Sequence, residues 1–160
     1  MRGKLVALAG VLLVVLIMPT LSHAAGAGGQ QLKVFSDDGK AFFKFIDSDK
    51  NGGPSAGDLV VERAPVFDPA TGERIGVTVT HVNVVKALAH GDALGLLDCT
   101  AILQGGRIMF YGSVRFSQTG QGVTFAVIGG TQSFRNAQGV VLAKDGKFKG
   151  DKGTFLTFKL

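Results

Sequence analysis

Apolar and polar residues alternate with a period near two along this chain from about residue 41 onward, in short runs separated by glycine-, proline- and aspartate-rich breaks. That period belongs to half-buried β-strands, and no helix-length 3.6-residue period competes with it after the N-terminal region. Strands are expected near 41–47, 58–67, 74–85, 96–104, 107–116, 122–129, 139–144 and 153–160. The breaks are 49–57, 68–72, Gly105-Gly106, 118–122 and Asp145-Gly146, and the Gly-Gly and Asp-Gly pairs suit two-residue hairpins with positive φ. Eight strands at hairpin spacing predict an all-β domain, an eight-stranded antiparallel up-and-down β-barrel closed by its C-terminal strand against its first. The stretch 125–140 is its organising turn: a buried strand, a glycine break at Gly129-Gly130, one helical turn, then Gly139 from which the next strand leaves.

Face assignments follow from parity. Ile108, Phe110, Gly112, Val114 and Phe116 share one face of the fifth strand, and Arg107, Met109, Tyr111, Ser113 and Arg115 share the other; either face fits the lumen. In the third strand the apolar phase passes from Val77 and Val79 to Val82 and Val84, which predicts a β-bulge near Thr80 and His81.

The N-terminus has a different pattern. Arg2 and Lys4 precede an uncharged apolar run of 14 residues over 5–18; Pro19 ends it, and Ser22-His23-Ala24 offers small residues for cleavage. The run is shorter than the ~20 residues of a comfortable membrane span, so residues 1–24 read as a cleaved signal peptide. The expected division is a signal peptide over 1–24, a flexible segment over 25–40 and the barrel over 41–160, in a protein that is secreted or periplasmic. Loss of Arg2 and Lys4 takes the formal charge from +5 to +3. The late lysines Lys144, Lys147, Lys149, Lys152 and Lys159 alternate with acids and glycines, as solvated hairpin ends do, so no nucleic-acid partner is expected. With a single cysteine the exported domain holds itself by its core; Cys99, in phase with Leu97, Ala101 and Leu103, reads as a buried thiol.

Residues 47–58 carry oxygen donors Asp47, Asp49, Asn51, Ser55 and Asp58 at the spacing of a calcium loop, with Gly52 at the turn position. Asp58 stands where a bidentate Glu is usual, Pro54 interrupts the loop and strands flank it, so a polar hairpin loop explains the same residues. A nucleophile elbow, a His-Glu-x-x-His zinc motif and a phosphate-cradling loop are missing, and His81, His90 and Cys99 have no metal-site spacing. No cofactor is expected.

Several pieces in order resemble the allene oxide cyclase and dirigent superfamily. Gly57-Asp58-Leu59-Val60, Val66-Phe67 and Arg74-Ile75-Gly76-Val77-Thr78 are similar to the plant cyclase pattern Gly-Asp-Leu-Val, Leu-Tyr and Arg-Val-Gly-Ile-Thr. Gly106-Arg107-Ile108, ending at Gly112, resembles the hairpin that follows. Ala126-Val127-Ile128-Gly129-Gly130-Thr131 with Phe134-Arg135-Asn136-Ala137-Gln138-Gly139 is similar to the dirigent Val-Val-Gly-Gly-Thr-Gly, Phe-Arg and Ala-Arg-Gly, and Phe155-Leu156-Thr157-Phe158 resembles the closing strand of the cyclases. The resemblance implies a calycin-like barrel, often a homodimer or homotrimer, whose lumen holds a small hydrophobic molecule and directs its cyclisation or stereoselective coupling: an isomerase or cyclase without need of a membrane once the signal is removed. It places Val61 and Val82 at cavity positions, and Arg63, Phe67, Cys99 and Phe125 complete the expected ligand contacts. Glu62 then falls on the face opposite Val61. Tyr111 and Arg115 are the expected pair for polarising an oxygen; Arg135 is either a third catalytic group or a cap of its turn, since Gln138 replaces the second dirigent arginine. A carrier without turnover, and a structural barrel plugged by its phenylalanines, are the alternatives.

Overall fold

The computed structural model describes residues 29–160, and the expected signal peptide lies outside them. There are nine strand segments, β1 (Gln31–Asp37), β2 (Phe42–Ile46), β3 (Leu59–Phe67), β4 (Arg74–Ala87), β5 (Ala93–Leu103), β6 (Gly106–Arg115), β7 (Val123–Gly130), β8 (Gly139–Phe148) and β9 (Asp151–Lys159), which alternate in direction from β2 onward. Each pairs with its sequence neighbour from β2 to β9, and β9 closes on β1 from Gln31↔Lys159 to Asp37↔Gly153. β1 and β2 lie end to end along β3, through Phe35↔Phe67 and Ser36↔Val66 for β1 and Phe42↔Arg63 to Ile46↔Leu59 for β2. They form one broken stave, so the nine segments make a closed eight-stranded antiparallel barrel.

Three expectations change. Part of the segment expected to be flexible, 25–40, is β1 and the 3-10 turn Asp38–Lys40. β1 hides its alternation because Phe35 is also buried, on the outer side, against Phe148 and Phe155 at ring separations of 5.3 and 5.0 Å. Second, no bulge occurs at Thr80–His81: β3–β4 and β4–β5 pairing runs in register there, and the shift in β4 lies between Val84 and Lys86. The apolar phase changes because Thr78 and Thr80 face the lumen where it is polar. Third, Asp145-Gly146 is not a turn. β8 continues to Phe148, and the hairpin turns at Lys149-Gly150, whose φ values of 51° and 91° suit a type I′ turn.

The link from β7 to β8 folds as expected: strand, the single turn Gln132–Phe134, then Gly139 with φ 138°. Gly130 is needed for close approach rather than positive φ, since a Cβ there would lie 2.2 Å from the Phe134 carbonyl oxygen. This link drives Phe134 into the core. With Ile108, Val127 and Phe158 it fills one end of the barrel, and Phe110 packs edge-on to Phe158 at 5.8 Å above that plug.

Candidate functional site

Above the plug the barrel holds a cavity of about 280 Å³. Leu97, Cys99, Phe110, Val114, Phe125 and Leu156 supply its apolar wall; Ser36, Asp38, Glu62, Thr78, Thr80, Asp145 and Thr154 supply its polar side. Strand parity places them. Val60, Ala64 and Val66 of β3 are buried, and Glu62 shares their phase; Val141 and Ala143 of β8 are buried, and Asp145 shares theirs.

The polar side is ordered by hydroxyls. Thr78 Oγ1 donates to the Ala64 carbonyl at 3.4 Å, so the Ser36 hydroxyl, 3.1 Å away, donates to Thr78. Thr80 Oγ1 donates to Cys99 Sγ at 3.2 Å. Thr154 Oγ1 lies 3.3 Å from Asp38 Oδ2 and 3.4 Å from Asp145 Oδ1, with one hydrogen to share between two carboxyls. The Glu62 carboxyl accepts no hydrogen bond among the described residues. Asp38 is held over the mouth by its turn: Lys40 Nζ donates to buried Asp37 at 2.6 Å and to Asp151 at 2.7 Å, tying the turn to the start of β9.

Desolvation sets the electrostatics. Burial pushes the Asp38 carboxyl up to about 6; the Thr154 hydroxyl opposes this, and the charges of Asp145 and Asp37 reinforce it. Burial, then the Asp38 charge, also raises Glu62. Cys99 is pushed up to about 12 by burial, so it is a neutral thiol. The arrangement can therefore hold an apolar molecule against carboxyls, one of which gains and loses its proton near neutrality.

The expected site residues divide. Cys99 and Phe125 line the cavity, and Val82 is buried in the core facing the lumen, outside the cavity wall. Val61, Arg63 and Phe67 have the outward parity of β3, because Val60, Glu62, Ala64 and Val66 take the inward one; Glu62 faces the lumen where the resemblance had turned it away. Tyr111 and Arg115 are also outside: Ile108, Phe110 and Val114 own the lumen face of β6, and Tyr111 is 41% exposed. Arg115 Nε donates to Asp92 Oδ2 at 2.5 Å, and Asp92 also accepts from the Ser117 N–H and hydroxyl at 3.0 and 2.8 Å. Arg115, then Ser117, holds the Asp92 carboxyl far below its ordinary range, so this trio fastens the end of β6 to the start of β5. Arg135 is exposed at the end of the 132–134 turn, where its N–H bonds the Gln132 carbonyl at 3.1 Å. Tyr111, Arg115 and Arg135 are not brought together.

In the 47–58 loop Asp47, Asp49 and Asp58 converge to within 4.8 Å. Loop groups already occupy them. Buried Asp58 accepts the N–H and hydroxyl of both Ser48 and Ser55, Asp47 accepts from Lys50 and Gly52, and Asp49 accepts from Asn51. The polar residues build the loop.

Sequence reading missed Asp38, Glu62 and Asp145. Glu62 and Asp145 leave one trace, a charge in phase with buried apolar neighbours; Asp38 leaves none, because a turn places it.

No protein-family model matches this chain, and no curated protein does. Solved structures share its barrel. It is similar to pyocyanin demethylase with 17% identity over 79% of this chain and 98% of that one, at a TM-score of 0.64. The Diels-Alderase AbmU from Streptomyces koyangensis aligns with 12% identity over 84% of this chain and 70% of that one, at 0.59. The pterocarpan synthase dirigent protein PsPTS1 aligns with 17% identity over 82% of this chain and 92% of that one, at 0.57. The fold is thus a barrel of the kind found in these Diels-Alderase, pyocyanin demethylase and dirigent structures.

Proposed function

We propose that the open half of the lumen binds a small, mainly apolar molecule and directs its cyclisation or coupling, in a protein acting after export. The observation that carries this reading is the one-ended cavity: an apolar wall joined to a polar side with two carboxyls of raised pKa. The wall holds a flexible reactant in a compact conformer, so proximity and orientation select the product, and the plug keeps water from one side of it. Asp38 and Glu62 exchange a proton with the reactant or stabilise positive charge that develops on it. The neighbours named as Diels-Alderases and dirigent proteins support this reading through a common barrel.

Mass spectrometry of small molecules released from protein purified from its own cells tests it. A ring-closed or coupled compound beside its open precursor is the expected result. One unchanged compound would make the protein a carrier, and a lumen empty in every preparation would leave it a structural barrel.

A further inference from the structure

Three carboxyls face one cavity in this protein, and no Lys, Arg or His stands among the residues that line it. The imbalance is local, since the chain as a whole is basic, with formal charge +5. Lys40, two residues from Asp38 in the same turn, gives its ammonium to Asp37 and Asp151. Among the described residues the ionisable groups that line the cavity are Asp38, Glu62, Cys99 and Asp145, with Asp37 behind Asp38, while Lys147 and Lys152 share the strand phase of Asp145 and Thr154 but are exposed beyond the lining. Thr154 offers a single hydrogen to two of these carboxyls, and the Glu62 carboxyl has no donor among the described residues.

We infer that the ligand of this cavity carries a positive charge, as an apolar or aromatic cation of the N-alkylated heterocycle or tertiary-amine class. The inference rests on the reading that the lumen is the binding site. A neutral ligand would leave the carboxyls desolvated without compensation, and an anion would be repelled by them. A compact primary ammonium is strongly hydrated and needs water or oxygen partners all round, which the wall of Leu97, Val114 and Leu156 does not offer. A delocalised cation has no such need, and Phe110 and Phe125, 5.9 Å apart between ring centroids, offer it aromatic faces. The cavity volume suits two or three fused rings.

The test is a fluorescence titration at pH 7.5 of the full barrel with 10-methylacridinium, with uncharged acridine and with anthracene-9-carboxylate. The cation should bind at least tenfold tighter than acridine, and the carboxylate should show no saturable binding. In the Asp38→Asn, Glu62→Gln double variant, with native circular dichroism, the ratio of cation to acridine affinity should fall to within threefold. Equal or tighter binding of acridine or of the carboxylate by the native protein overturns the inference while leaving the lumen as a binding site. So does cation binding that survives Val114→Phe, which fills the cavity, since the cation would then sit elsewhere. Failure of all three probes removes the lumen reading, and this inference with it.

Discussion

Asp38 shows at the scale of one residue how position makes chemistry. Its carboxyl would titrate near 3.8 in the unfolded chain and does so near 6 at the barrel mouth. Between those values the folded state binds the extra proton. Below pH 3.8 both states are protonated and the burial carries no penalty; as pH rises through 6 the folded state must ionise a desolvated group and stability is lost. Asp38→Asn removes that penalty. It should stabilise the protein at pH 7.5 by ~1 kcal/mol, a shift discounted because the residue is partly exposed to solvent. The gain should shrink to nothing by pH 4, as urea denaturation at both values would show; an equal gain at both would place the effect elsewhere. Such residues resist sequence reading for a physical reason. Cys99 was legible because its phase neighbours Leu97, Ala101 and Leu103 are apolar, whereas Glu62 reads as a solvent charge until the inward phase of β3 is known. Tyr111 and Arg115 attracted attention through their chemistry alone, and the parity of Phe110 and Val114 sends them outward.

At the scale of elements, the β7–β8 link does what its glycines suggested, for a different reason at each. Gly139 takes positive φ, while Gly130 has no room for a side chain between the Phe134 and Arg107 carbonyl oxygens, 2.2 and 2.8 Å from a Cβ. Gly130→Ala forces a backbone to move and should cost more than ~2 kcal/mol in chemical denaturation, with loss of the Phe134 plug; a cost under ~0.5 kcal/mol would mean that the link is slack. Turn chemistry made this element legible. The β4 phase change is legible too, but its cause is not, since a bulge and a polar lumen both break an apolar alternation. β2 gave a clear strand signal and yet is exposed throughout, with Phe42 and Phe43 at 60% and 62%. It pairs only with β3, and Lys44 at its centre opposes edge-to-edge association.

For the whole molecule, the order of strands and hairpins was enough to give an eight-stranded barrel closed by its last strand. What the order of strands could not supply was the broken first stave, because β1 buries residues of both parities and a turn of three residues separates it from β2. That break makes the site. It sets Asp38 over the mouth in a turn that Lys40 fastens by bonding Asp37 and Asp151, and it leaves the lumen open at that end while Phe134 and Phe158 close the other. An open half of this kind should take up an apolar molecule. Titration with the neutral fluorophore N-phenyl-1-naphthylamine tests it most directly, in the native barrel and in Val114→Phe. Saturable, blue-shifted emission from the native protein, with affinity at least tenfold weaker in a Val114→Phe variant of native circular dichroism, is the predicted result; no uptake by the native protein, or equal uptake by both, would contradict it.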